Sequence, residues 1–263
     1  MKLSIIIVNW NTAKLLKQCL DNLESEIKNS KFETEIIVVD NGSSDDSVKE
    51  VKNFKLEIIE NGQNLGFAKA VNKGIKLAKS EAILLLNSDT IVKKEALKNL
   101  IEFENLVRPA VVGARMLNPD GTVQGSCFCL PTVKRAILEY WLKKKNYFSK
   151  YAPAGFEPIE VEAVSGGAML ISRALIDKIG MLDERYFMYF EDLDFCRRAR
   201  ASNLKIYYLP SAEVIHEHGA SGKKLVADDQ QWKRLIPSSK IYHGIIKHYL
   251  INFIIWSGQK LRG

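Results

Sequence analysis

Four apolar residues, Ile83 to Leu86, run without a polar partner and stop at Asn87-Ser88-Asp89. A run so short, with no alternation, reads as a strand buried on both faces, as in a parallel sheet covered by helices. In open α/β sheets, ligands sit beyond the carboxyl ends of the strands, near the point where strand order reverses. A carboxylate there can hold a divalent cation against a diphosphate, because hard cations take oxygen ligands and keep positions open for phosphates. The plainer reading of Asn87-Ser88-Asp89 is a turn before a helix, with Asp89 or Thr90 as its cap.

The rest of the first half repeats the pattern. Leu3 to Val8 is an apolar run ending at Asn9-Trp10-Asn11, followed by Leu15, Leu16, Cys19, Leu20 and Leu23 at helical spacing. Glu35 to Val39 ends at Asp40-Asn41-Gly42-Ser43, and Leu56 to Ile59 leads through the Asn61–Gly66 turn into Ala68, Val71, Ile75 and Ala78. Four alternations of strand and helix predict a doubly wound, mostly parallel α/β sheet. Such a sheet brings Asn9, Asn11, Asp40 and Asp89 to one edge. A nucleotide fits across it, with Asp40 on a base or ribose and Asp89 on a metal. Taken alone, Asp40 is explained as well by an Asx turn into Ser43-Ser44. The first strand is followed by neither Gly-x-x-x-x-Gly-Lys nor Gly-x-Gly-x-x-Gly, which disfavours P-loop and dinucleotide-binding proteins.

The second half is less regular. Val111 to Met116, Ala168 to Ile171 and Lys205 to Leu209 read as strands, and Lys134 to Lys150 as a basic amphipathic helix or loop. The aromatic run Tyr186 to Phe190 leads into Glu191-Asp192-Leu193-Asp194, which opens a helix. Acids at a helix start have an ordinary explanation in capping and the helix dipole. Beside apolar walls, however, a carboxylate pKa rises toward general-base duty. His216 and His218 are two of only four histidines, and an imidazole near a carboxylate-bound cation is a suitable extra ligand.

Charge is uneven. Residues 222–263 carry +6 and residues 134–150 carry +5, against −4 for everything else in a chain of net charge +7. Two basic segments suit an anionic surface; nucleic acid explains them but not the acids at strand ends. Ile245 to Trp256 is interrupted by Lys247 and His248 and falls short of the roughly twenty apolar residues a span needs. It suits an interfacial helix, or a helix packed on the domain or on a second copy in a homodimer. No signal peptide is expected, because polar residues follow Val8 at once. The four cysteines show no metal or disulfide pattern, which points to a reducing compartment.

Taken in order, Ile7-Val8-Asn9-Trp10-Asn11, Val38-Val39-Asp40-Asn41-Gly42-Ser43, Asn64-Leu65-Gly66-Phe67 and Leu85-Leu86-Asn87-Ser88-Asp89-Thr90 resemble the nucleotide-sugar half of the family 2 glycosyltransferases. Ser165-Gly166-Gly167, Gly180-Met181-Leu182-Asp183-Glu184, Phe187 to Asp194 and His216-x-x-Gly219-x-Ser221 resemble their rhamnosyltransferase-like branch. The resemblance covers residues 3–225. It implies a GT-A fold over residues 1–225, divided into a nucleotide-sugar half (1–117) and an acceptor half (118–225), with a helical tail over 226–263. It implies inverting transfer from a nucleoside-diphosphate sugar to a glycan or polyprenyl-linked hydroxyl in cell-surface polysaccharide synthesis. dTDP-rhamnose is the favoured donor and a UDP-sugar the second choice. By the same resemblance, Asn9, Asn11, Asp40, Asn41, Asn64, Gly66, Asn87, Ser88 and Asp89 bind the nucleotide sugar, and Asp89 with His216 holds Mg²⁺ or Mn²⁺. Asp192 is the general base, with Glu191 or Asp194 as alternatives. Asn87 departs from the family's frequent aspartate there and is a weaker, neutral ligand. A peripheral position on the cytoplasmic face of a membrane follows from the tail and such an acceptor. The competing classes are a nucleotidyltransferase, which lacks its phosphate loop here, and a sugar-nucleotide-binding protein without catalysis.

Overall fold

The computed structural model describes residues 2–28, 32–217 and 233–260. His218, Gly219, Ser221 and the boundary expected at residue 225 lie outside the described residues.

The first half alternates as the apolar runs predict: β1 (Lys2–Asn9), α1 (Ala13–Lys28), β2 (Glu33–Asp40), α2 (Ser47–Val51), β3 (Glu57–Glu60), α3 (Phe67–Leu77) and β4 (Ala82–Asn87). β1 lies parallel between β2 and β4, with Asn9 opposite Asp40 and Val8 opposite Asn87. Alternate side chains of a strand face opposite sides. Ile5, Ile7, Leu84 and Leu86 therefore pack with Leu16, Leu20 and Leu23 of α1. Ile6, Ile83 and Leu85 pack on the other side with Val71 and Ile75 of α3. Both faces are covered, which is why these strands carry no alternation in sequence.

Beyond β4 the chain continues through β5 (Thr90–Val92), α4 (Ala96–Val107), β6 (Ala110–Leu117), β7 (Val123–Gln124), β8 (Cys127–Phe128) and α5 (Val133–Ala136). A π-helical turn, Ile137–Trp141, extends α5. Then come β9 (Ile159–Glu160), β10 (Ala163–Val164), β11 (Ala168–Ser172), α6 (Arg173–Ile179), α7 (Glu191–Ala201) and β12 (Lys205–His216). The tail forms α8 (Leu235–His243) and α9 (Ile245–Lys260). The main sheet runs β3-β2-β1-β4-β11-β6-β12-β5. β11 is antiparallel to β4 and β6, β12 is parallel to β6, and β5 is antiparallel to β12. Strand order reverses between β1 and β4, so a crevice is expected beyond the ends of β1, β2 and β4.

Two local expectations are corrected, and a third, left open as helix or loop, is resolved. Asp89 and Thr90 cap no helix: Thr90 opens β5, and its hydroxyl donates to the Asn87 carbonyl at 2.7 Å. The strand expected to end at Leu209 runs on to His216, with a register irregularity between Leu209 and Glu213. Pro210 offers no ladder donor, and the bulge bends the strand without ending it. The basic segment 134–150 is helical only through Trp141.

Candidate active site

A cavity of ≈ 630 Å³ opens over the switch point, between the ends of β1, β2 and β4, the start of α7 and the tail helices. Its polar floor comes from β4. Ser88 and Asp89 leave that strand in a tight corner, and the Glu217 N–H donates to the Asp89 carbonyl at 2.9 Å. β12 pairs His216 with Thr90 in the adjoining register. As a result His216 Nε2 lies 3.3 Å from Asp89 Oδ1 and 3.2 Å from Asn87 Nδ2. Nδ1 of the same ring faces Gln124 Oε1 at 2.7 Å, while Gln124 Nε2 donates to Asn118 Oδ1 at 2.8 Å. This arrangement puts the ring proton on Nδ1 and leaves the Nε2 lone pair toward Asp89 and the cavity.

The polar residues at the ends of β1 and β2 serve one another. Asp40 accepts from Asn9 Nδ2 (3.0 Å), Ser43 Oγ (2.5 Å) and the N–H groups of Gly42 (3.2 Å) and Ser43 (2.9 Å). Four donors fill both carboxylate oxygens, and Asp40 is only 3% exposed. Asn11 Oδ1 accepts from the Ser44 N–H at 2.7 Å. Asn41 donates to Asn64 Oδ1 and the Gly66 carbonyl, and it accepts from Asn61 and the Leu65 N–H. Asn41, Asn64, Asn87, Ser88, Asp89, Glu191, Asp192 and His216 line the cavity; Asn9, Asn11, Asp40 and Gly66 stand behind it.

Gly66 ties the two halves together. Its φ is +87°, and a Cβ there would sit 2.5 Å from the Phe187 carbonyl oxygen. The Phe67 N–H donates to that same oxygen at 2.6 Å. The Asn64-to-Phe67 motif is thus seated directly on the aromatic run before α7. That run ends in two consecutive left-handed residues, Tyr189 (φ 68°) and Phe190 (φ 67°). Non-glycine residues in this region cost on the order of 1–3 kcal/mol each and cluster at functional sites.

The strained turn separates the three acids of α7. Asp194 turns away from the cavity and pairs with Arg197 (2.5 Å) and Arg198 (2.8 Å). Arg198 also donates to the carbonyls of Ile179 and Met181, so this acid holds the fold. Asp192 faces the cavity, accepting from the N–H groups of Leu193 (2.8 Å) and Gly166 (3.2 Å). Burial raises its pKa above the ordinary aspartate value, and the Lys150 ammonium opposes the rise. Glu191 is buried with Oε2 unpartnered. Burial, and then the Asp192 charge, push its pKa well above the usual carboxylate range. A carboxylate of raised pKa at a cavity wall has the basicity that proton abstraction near neutral pH needs.

Sequence reasoning missed Gln124, Lys150 and the whole tail as contributors to this cavity. Nothing local marks Gln124, since the histidine it orients is 92 positions away.

The chain matches the model of Glycosyl transferase family 2 over residues 4–180 and belongs to that family. It is a glycosyltransferase of GT-A fold. It is 28% identical over 259 residues to the low-salt glycan biosynthesis hexosyltransferase Agl10 of Haloferax volcanii, covering 91% of this chain and 76% of that protein. To the N-acetylglucosaminyl-diphospho-decaprenol L-rhamnosyltransferase of Mycobacterium tuberculosis it is 27% identical, covering 83% of this chain and 77% of the relative. Among solved structures, GalNAc-T7 with UDP, GalNAc and Mn²⁺ superposes with a TM-score of 0.64 at 17% identity, over 82% of this chain and 43% of that one.

Proposed function

We propose that the chain transfers a sugar from a nucleoside-diphosphate donor to a hydroxyl with inversion at the anomeric carbon, and that Asp192 is the base. One observation carries this reading: the Asp89–His216 pair and Asp192 line the same cavity at the switch point. The donor lies across the ends of β1, β2 and β4. Asn41 and Asn64 face its nucleotide, and Asp40 holds the corner that presents them. In the Mycobacterium relative the transferred sugar is rhamnose, which supports dTDP-rhamnose as the first donor to try, with UDP-sugars second.

A divalent cation, Mg²⁺ or Mn²⁺, fits the residues present. Among the described residues no cluster of three or more His, Cys, Asp or Glu forms a closed metal cage. Asp89 and the Nε2 face of His216 would hold the ion, which would keep positions open for substrate oxygens, as hard cations do. GalNAc-T7, solved with UDP and Mn²⁺, supports a metal of this kind. When bound, the cation neutralises charge on the leaving diphosphate. Asp192 accepts the acceptor hydroxyl proton as that oxygen bonds to the anomeric carbon, opposite the breaking bond to phosphate. The strained turn at Tyr189 and Phe190 aims the carboxylate, and Gly166 holds one of its oxygens.

The acceptor is a glycan or a polyprenyl-linked sugar, and the outer face of α9 meets the membrane. That face exposes Ile246, Tyr249, Phe253 and Trp256, with Lys247 and Lys260 on the same helix. No helix among the described residues is long and apolar enough to cross a membrane. A donor screen tests the reading. The protein is incubated with dTDP-rhamnose and UDP- or GDP-sugars, with Mn²⁺, Mg²⁺ or EDTA, and nucleoside-diphosphate release and thermal shift are recorded. Release with one donor that stops in EDTA is expected; no shift and no release with any donor overturns the proposal.

A further inference from the structure

The turn in front of Asp192 is held from outside itself. Two consecutive left-handed residues without glycine, Tyr189 and Phe190, persist only where their surroundings over-determine them. The carbonyl of Phe187 takes the Phe67 N–H at 2.6 Å, a contact with the donor half. The next carbonyl, on Met188, takes Ser238 Oγ at 2.7 Å, and Ser238 belongs to α8 of the tail. Tyr242 lies one turn further along α8 and so faces the same way. Its ring packs on Phe190 with centroids 5.3 Å apart, and the His243 ring meets Phe190 edge-on at 5.8 Å. The contact extends into α7, where the Arg197 guanidinium lies over the Tyr242 ring at 4.2 Å while pairing with Asp194.

Ser238 and Tyr242 are buried, yet neither lines the cavity. Met188, Tyr189 and Phe190, the segment they hold, do line it, just ahead of Asp192. A hydroxyl and an aromatic ring four positions apart thus grip the carbonyl in front of the strained pair and the side chain at its end. They stand behind the wall, where they touch the turn and not a substrate. We propose that Ser238 and Tyr242 are positioning residues for the transfer: α8 keeps the Tyr189–Phe190 turn left-handed and thereby holds Asp192 at the cavity wall. This rests on Asp192 being the base, and it makes the tail part of the machinery that carries out the reaction.

Two readouts on the full chain test it. The first needs no substrate: amide exchange across residues 186–195, which follows local opening, should be about fivefold or more faster in Ser238→Ala and Tyr242→Leu. Tyr242→Phe, which keeps the ring, and Ile241→Ala, on an exposed part of α8, should exchange like the unaltered chain. The second readout is nucleoside-diphosphate release from dTDP-rhamnose with Mn²⁺. Ser238→Ala and Tyr242→Leu should lower kcat about tenfold or more with donor KM unchanged, since a small misplacement of a reacting group costs at least that much. Tyr242→Phe should restore kcat. Added to Asp192→Asn, Ser238→Ala should cost nothing further, because the group it positions is gone. Unchanged exchange in both variants overturns the inference. So does a loss confined to KM, a Tyr242→Phe that behaves like Tyr242→Leu, or a full Ser238→Ala loss in the Asp192→Asn background. Undiminished kcat in Asp192→Asn marks failure of the base assignment, and this inference falls with it. Normal kcat in Ser238→Ala and Tyr242→Leu, with Asp192→Asn inactive, overturns this inference alone.

Discussion

The ends of β1 and β2 and the start of α7 both gather polar side chains, and they treat them in opposite ways. At the ends of β1 and β2 the central polar groups are filled: Asp40 takes four hydrogen bonds, and Asn41 bonds in both directions. At the start of α7, Glu191 is left with a buried, unpartnered oxygen, and Asp192 keeps a raised pKa at the cavity wall. A filled network fixes a shape, because each member specifies its neighbours. A partly filled one stores reactivity, because burial penalises the charged form. The ends of β1 and β2 are thus built to hold a shape, and the start of α7 presents the carboxylates on which the proposed transfer depends.

The largest expected effect separates these roles. Asp192→Asn should lower transfer about 10²–10⁴-fold, the usual worth of a positioned base, with donor-induced thermal shift retained. Asp40→Asn should instead lower Tm, because it replaces acceptors with an amide amid four donors. If Asp40→Asn left Tm unchanged but altered the choice of nucleotide base, Asp40 would be a direct contact and the contrast would break.

Next is the hinge between the regions. Gly66→Ala adds a methyl group against the Phe187 carbonyl at a φ of +87°; strain of this kind costs about 1–3 kcal/mol. A matching fall in ΔG on chemical denaturation, together with slower turnover, is expected. Unchanged turnover would separate the Phe187 seat from the aiming of Asp192.

Gln124→Leu should weaken Mn²⁺ binding in the presence of nucleoside diphosphate about 10–100-fold, the usual cost of removing a group that orients a ligand. Electron paramagnetic resonance titration of free Mn²⁺ measures it. Unaltered affinity would show that His216 needs no orientation from Gln124.

The smallest effect concerns pH. Glu191 has a folded pKa raised above its ordinary value of 4.5. Below that value it is protonated in both states, and its contribution is fully present. As pH rises, the unfolded chain loses this proton first, so stability falls until the folded pKa is passed. Glu191→Gln should flatten the decline of Tm as pH rises above about 4.5, and an equally steep decline in the variant would refute the assignment.

Local pattern was enough to place β1, β2, β4 and the polar residues at their ends, because strands covered on both faces read as near-continuous apolar runs that break where the chain leaves the core. It also placed Glu191, Asp192 and Asp194 at one helix start. Tertiary structure alone decided which of those acids face the cavity, since two arginines occupy Asp194 while Glu191 and Asp192 line the cavity wall. It alone carried β12 past Pro210 to set His216 beside Asp89, and it closed one side of the cavity with α8 and α9. Sequence periodicity reports whether a position is buried, and only sheet order and packing report against what: His216 meets Asn87 across 129 positions of chain, and no local pattern spans that distance.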